Sequence, residues 1–189
     1  MQINIFYGCG LMNAKAGTIW FSGLHGSGKT TIARVLAERL RVKGAKLVVL
    51  DGDELRKGLS LDLGYSREDR NRHIKRVANV CKIISENGVL NIACVASPTR
   101  EMREYAKSLI PEFVEVFVKC PLEECERRDV KGHYRLAREK KPGFENFLGI
   151  GIAYEEPESP DLVLETDKES VKESVEKLYS KIVEKGWLE

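Results

Sequence analysis

Gly23, Gly26, Gly28, Lys29 and Thr30 fall at Gly-x4-Gly-Lys-Thr spacing inside the run Gly23-Leu-His-Gly-Ser-Gly-Lys-Thr-Thr31. These residue types in this order suit the holding of a row of phosphates. Glycines carry no Cβ, so the chain can turn tightly and bring bare backbone N–H groups against an anion. A helix beginning behind them adds unpaired N–H groups and the positive end of its dipole. The Lys29 ammonium can reach the outer phosphates, and the Thr30 hydroxyl can hold Mg2+. Gly23, Leu24, His25, Gly26, Ser27, Gly28, Lys29, Thr30 and Thr31 are therefore the expected loop for a nucleoside triphosphate.

Two acids come next. Asp51-Gly-Asp53 closes the apolar run Lys46-Leu-Val-Val-Leu50. One carboxylate can support Mg2+ through water, and the other can take a proton from an attacking hydroxyl. Asp-Gly-Asp is also ordinary turn chemistry. Its place at the carboxyl end of a buried strand favours function, because ligands of open α/β sheets gather there. Arg56 and Arg70 flank the loop that follows and could grip a second anion. Arg70 and His73 are three apart and share a helix face, whereas Arg67, Arg72 and Lys75 read as a solvated face. Arg100 is expected in the first turn of a helix, where a cation opposes the dipole; an anion nearby would explain it. Together these cations suggest a negatively charged acceptor.

Positioning such groups takes elements, and the periodicity supplies them. An apolar strand over 19–21 runs into the glycine loop, and Ile32, Val35, Leu36 and Leu40 mark one helix face behind it. Further buried strands are predicted over 46–50, 89–96, 113–118 and 162–164. A short helical turn covers 55–59, and helices run from Asp69 to about Asn87 and over 122–128. Pro98 is expected to open another helix at its first position and to hold Ser97 extended. A closing amphipathic helix carries Val171, Val175, Leu178 and Ile182, with Thr166-x-x-Glu169 or Ser170-x-x-Glu173 as its capping box. Residues 131–160 are rich in proline and glycine and lack a period, as a lid or a disordered stretch would. Strands alternating with helices predict a five-stranded parallel sheet covered on both faces, with a mobile lid.

At 189 residues the chain suits one domain, expected over 17–189 behind an N-terminal extension of residues 1–16. A net charge of +2 gives no basis for nucleic-acid binding through bulk charge. No apolar run approaches the ~20 residues that span a bilayer. The five cysteines (Cys9, Cys81, Cys94, Cys120, Cys125) are scattered without C-x2-C spacing. They suggest reduced core thiols, hence a cytoplasmic setting, and neither a zinc site nor a disulfide framework.

Further runs accompany the glycine loop: Leu50-Asp-Gly-Asp-Glu-Leu-Arg56, Leu61-Asp-Leu-Gly-Tyr-Ser-Arg-Glu-Asp-Arg70, Ala96-Ser-Pro-Thr-Arg100, Cys120-Pro-Leu-Glu-Glu-Cys-Glu-Arg-Arg-Asp129, Lys131-Gly-His-Tyr134 and Tyr154-Glu-Glu-Pro157. In this order they resemble the adenylyl-sulfate kinase family over about residues 17–185. The resemblance implies a P-loop kinase fold, ATP and Mg2+ as cofactors, and a homodimer. It implies transfer of a phosphoryl group from ATP to the 3′-hydroxyl of adenosine 5′-phosphosulfate.

On that reading Lys29 follows the charge of the transferred group, Thr30 and Asp51 hold the metal, and Asp53 accepts the proton. Arg56 and Arg70 contact the phosphosulfate, and Tyr65 and Phe147 sandwich the acceptor's adenine. His73, Ser97, Arg100, Gly149 and Ile150 complete the acceptor set. Arg128 and a lid over 131–156 close on the ATP base. The family residue matching Ser97 is described as a phosphoserine intermediate; with no neighbouring base evident, direct in-line transfer with Ser97 as a hydrogen-bonding group is preferred. The chain departs from the family pattern at His73, where Asn is usual, and at Leu148 and Gly151, where Thr and Asp are usual. Those departures motivate an alternative acceptor such as a cytidine diphosphate derivative. A non-catalytic nucleotide-sensing module is the other alternative.

Overall fold

The computed structural model describes residues 14–188. The first strand, β1 (Gly17–Ser22), is buried along its whole length. Its apolar residues alternate between the two faces of the sheet, as a pleated strand requires. Ile19 and Phe21 face one layer and Trp20 faces the other.

Helix α1 (Lys29–Val42) lays Ile32, Leu36 and Leu40 on the first face. Strand β2 (Leu47–Asp51) leads straight into the short helix α2 (Gly52–Arg56), capped by the Asp51 carboxylate. Helix α3 (Arg67–Glu86) starts at Ser66, whose hydroxyl accepts from the Asp69 N–H. It buries Ile74, Val77, Ala78 and Cys81 on the second face. Strand β3 (Leu90–Cys94) and helix α4 (Arg100–Leu109) follow, then β4 (Phe113–Lys119), α5 (Leu122–Arg128) and α6 (His133–Arg138). Strand β5 (Leu162–Glu165) and helix α7 (Val171–Glu184) close the chain. Of the two candidate capping boxes, the one between Ser170 and Glu173 forms.

The five strands are all parallel, in the order β2-β3-β1-β4-β5. Helices α1 and α7 cover one face, and α3 and α4 the other. The carboxyl ends of β1, β2 and β3 are neighbours at one edge of the molecule. The predicted α/β architecture is the one found.

Three local expectations are corrected. Helix α4 starts at Arg100 with Thr99 as its cap, so Pro98 lies outside it. The Thr99 hydroxyl offers the cap that a proline ring lacks, accepting from the Met102 N–H at 3.4 Å. Ser97 is not extended: its φ is 45°. Residues 131–160 are not structureless. They hold α6 and a turn closed by a bridge between Leu148 and Ile152. Tyr134, Ala137 and Phe147 from this segment build a third apolar cluster with Cys120 and Cys125, which periodicity misses because the cluster is assembled from short pieces.

Residues 14 and 15 belong to the body of the protein. Ala14 pairs with Leu188, and the Lys15 N–H donates to the Trp187 carbonyl at 2.8 Å. Residues 1–13, and with them Cys9, lie outside the described residues. The other four cysteines are free and buried. Burial pushes the Cys81 and Cys94 thiols up to about 12, so neither is a reactive thiolate at neutral pH. Among the described residues no helix is long and apolar enough to cross a membrane.

Candidate active site

The three strand tips open into a cavity of about 250 Å³. His25, Gly26, Gly28, Lys29, Thr30 and Thr31 line one side of it, Asp51 and Asp53 the floor, and Arg56, Tyr65, Arg70 and His73 the far side. Ala96, Ser97 and Pro98 form the wall below, and Lys131, His133 and Tyr134 hang over it.

The glycine loop is a fixed cradle. Gly23 has φ 137°, and a Cβ there would stand 2.5 Å from the Val118 carbonyl oxygen. Gly28 has φ 103° and caps α1 without a side-chain bond, which leaves the first N–H groups of the helix turned to the cavity. The Lys29 ammonium donates to the carbonyls of Gly23 at 2.9 Å and Leu24 at 2.6 Å. Burial pulls its pKa down, against the pull of nearby anionic groups such as Asp53.

The Thr30 hydroxyl donates to one Asp51 oxygen at 2.9 Å, and the Asp53 N–H donates to the other, also at 2.9 Å. A hydroxyl and a carboxylate so placed beside the cradle fit a hard divalent ion, which takes oxygen ligands. Asp53, one residue into α2, forms an ion pair with Lys131. Partial burial would raise the Asp53 pKa. The Lys131 hydrogen bond and the positive charges around it outweigh that and hold the carboxyl below its ordinary value.

Across the cavity, Arg56 and Arg70 stand with their guanidinium carbons 4.6 and 5.3 Å from the Tyr65 ring. Their hydrogen bonds go to backbone carbonyls: Arg56 to Gly64, and Arg70 to Tyr65 and Asn146. Burial, and then the charge of Arg56, brings Arg70 down to about 10. Two guanidinium groups side by side, bonded to carbonyls and not to carboxylates, hold a positive potential open for an anion.

His73 is buried beside them, its Nδ1 2.9 Å from the Ser60 hydroxyl. Burial, and then the charge of Arg56, lowers it to about 4, so it is neutral at pH 7. Unfolded histidine titrates near pH ~6.5. Between these values the unfolded chain binds the extra proton, so folding stability is full above ~6.5 and falls as the pH drops toward 4. His73→Asn removes this pH dependence. Its melting temperature should therefore decline less steeply than that of the wild type from pH 7 to pH 5; equal slopes would contradict the assignment.

Several predicted residues lie off the cavity. Phe147 stacks on His25, with centroids 5.1 Å apart, and meets Tyr134 edge-on at 4.9 Å. It does not face Tyr65, which stands half exposed at the cavity rim. Gly149 packs against Leu122 and Leu24, and Ile150 joins the same cluster. Arg100 turns away. It pairs with Glu158 and donates to the Glu156 carbonyl, so its anion is an internal one. Arg128 braces the glycine loop from behind, bonding the Gly26 carbonyl at 3.4 Å and the Thr166 carbonyl at 2.6 Å. Ser97 does line the cavity, but its hydroxyl accepts from the Trp20 indole at 3.0 Å.

Lys131 is the functional candidate that the residue chemistry did not single out. It lies in the Lys131-Gly-His-Tyr134 run, yet nothing local says that it reaches an acid 78 positions earlier.

Gly151 has a steric explanation. A Cβ there would stand 1.9 Å from the Glu145 carbonyl oxygen, so a side chain enters this turn only if the Glu145 carbonyl moves. Gly151→Ala should destabilise the protein by about 1–3 kcal/mol, the usual cost of overpacking. Thermal melts check this, and an unchanged midpoint would show that the turn opens freely.

Comparison with known proteins places the chain. Residues 15–165 match the adenylylsulphate kinase family. The adenylyl-sulfate kinase of Picosynechococcus sp. is 46% identical over 177 residues, covering 94% of this chain and 99% of that one. That of Halothermothrix orenii is 45% identical over 178 residues, covering 94% and 95%. Among solved structures, the Mycobacterium tuberculosis APS kinase CysC in complex with AMPPNP and APS superposes with a TM-score of 0.84 at 38% identity, covering 89% of this chain and 98% of that one.

Proposed function

The chain belongs to the adenylyl-sulfate kinase family, and from that premise we propose how its own residues divide the work. The reaction is transfer of the γ-phosphoryl group of ATP to the 3′-hydroxyl of adenosine 5′-phosphosulfate. The observation that carries the assignment is the ordering of charge across one cavity. A backbone cradle with Lys29 stands on one side, two arginines bonded only to carbonyls stand on the other, and Asp53 lies between them.

The loop of residues 23–31 holds the triphosphate through its N–H groups. Thr30 and Asp51 are the residues that would hold Mg2+, and the bound ion would neutralise charge on the outer phosphates. Lys29 leaves the Gly23 and Leu24 carbonyls for the transferred group. Asp53, kept ionised, takes the proton of the 3′-hydroxyl. Lys131 then exchanges Asp53 for the phosphates as the proton arrives. Arg56 and Arg70 hold the phosphosulfate, and His73 presents its free ring nitrogen to the acceptor. Because the phosphoryl transition state is loose, alignment and charge neutralisation account for most of the rate.

The acceptor's adenine needs a second aromatic wall. In the relatives' pattern that wall is Phe147, which would have to leave His25 and turn toward Tyr65. Buried free thiols support a reducing, cytoplasmic setting. A homodimer is the assembly that we propose, although one relative is a hexameric APS kinase from Thiobacillus denitrificans; light scattering decides.

The test is ADP release from ATP and Mg2+ with either adenosine 5′-phosphosulfate or a cytidine diphosphate compound as acceptor. Release that depends on the first and not the second supports the assignment. The reverse result, or ATP binding without release, overturns it.

A further inference from the structure

Helix α4 carries an arginine that phosphate chemistry does not use. Arg103 is 3% exposed, and an arginine so enclosed must find acceptors for its N–H groups. Its Nη1 donates to the Ser97 carbonyl at 2.6 Å, and its Nη2 to the Glu155 carbonyl at 2.6 Å. Its Nε lies 3.2 Å from a Glu115 oxygen in a buried ion pair. The Tyr154 ring covers its face at 5.6 Å and is itself stacked on Phe117.

The two carbonyls belong to different parts of the site. Ser97 is cavity wall, and Glu155 is where the lid segment rejoins the body. The Glu155 N–H also donates to the Pro98 carbonyl at 2.8 Å, and the Trp20 indole holds the Ser97 hydroxyl. Ser97 has φ 45°, in the left-handed region that a residue with a side chain occupies only where its surroundings over-determine it. Arg103 and Trp20 are the groups that do so here.

We propose that Arg103 is a positioning residue, whose guanidinium fixes the Ser97 tip in its left-handed conformation and ties that tip to the root of the lid. The wall facing the acceptor and the base of the lid are then set by one side chain. This inference rests on the phosphotransfer assigned above.

Two variants test it. Arg103→Lys keeps a charge beside Glu115 but replaces the planar fork by a single ammonium. The double variant Arg103→Gln, Glu115→Gln removes both charges and leaves neither unpaired. Each should cost at least tenfold in acceptor kcat/KM and leave the KM for ATP within about twofold. A Trp187→Phe background leaves Trp20 as the only tryptophan. There, Arg103→Lys should shift the Trp20 emission, because the Ser97 hydroxyl moves off the indole.

Wild-type constants in Arg103→Lys would mean that Arg103 serves only as the counter-charge of Glu115, and would overturn the proposal. If the double variant does not fold, Arg103→Lys still decides. If the wild type itself gives no acceptor-dependent ADP release, the phosphotransfer reading falls. The emission of Trp20 needs no turnover, and an unchanged spectrum would then reject the anchoring role separately.

Discussion

Asp53→Asn should lower kcat by about 10²–10⁴, the range for loss of a positioned general base, with little change in the affinity for ATP. The Asn amide has nearly the shape of the carboxylate, so the fold has no reason to change. It can neither accept the 3′-hydroxyl proton nor form the ion pair that Asp53 makes with Lys131. The wild-type pH profile gives a second check. Lys131 and the surrounding positive charge hold the Asp53 carboxyl below its ordinary value against the opposing effect of burial. The group is therefore ionised throughout the neutral range, and the acid limb of kcat should lie below the range in which an ordinary aspartate titrates. Measuring kcat at saturating ATP and acceptor, with calorimetry for ATP binding, separates the two effects. A variant that keeps more than a tenth of the wild-type kcat would show that the proton goes elsewhere.

Lys29→Met should be the other severe loss, about 10²–10³ in kcat, the usual cost of deleting one donor aimed at developing charge. Its effect on stability should have the opposite character. Burial lowers the Lys29 pKa, so the folded state disfavours the ammonium charge. That cost is present below the folded pKa and fades as pH rises through it. Removing the charge relieves the cost. It also strands the Gly23 and Leu24 carbonyls that the ammonium satisfies, each worth about 1–3 kcal/mol unless water replaces it. These terms offset one another, so the melting temperature should move little while turnover collapses. A large fall in melting temperature together with near-normal turnover would refute the role given to Lys29.

The sequence by itself settled whatever is local or periodic. The Gly-x4-Gly-Lys-Thr spacing, followed by apolar residues at helical intervals, fixes a strand, a turn and a helix, because left-handed backbone at Gly23 and Gly28 is open to few residues other than glycine. Alternating buried strands and amphipathic helices fix a parallel sheet, and the rule of carboxyl ends brings Asp51, Asp53 and Ser97 to the glycine loop. Arg56, Tyr65, Arg70 and His73 were placed by spacing and by resemblance, and they do line the cavity.

Tertiary structure alone decided the partners of long side chains. Arg100 and Arg103 lie three apart on one helix, yet one is exposed to glutamates and the other is buried against Ser97 and Glu155. Lys131 meets Asp53 across 78 residues, and Phe147 stacks on His25 at 5.1 Å. Ser97 is left-handed before a proline that would favour an extended chain, because Arg103 and Trp20 hold it from outside. Backbone preferences act over a few residues, so a sequence states them openly. A guanidinium, an ammonium or a ring reaches several ångströms in any direction, and what it meets depends on which distant segments folding has brought within that reach.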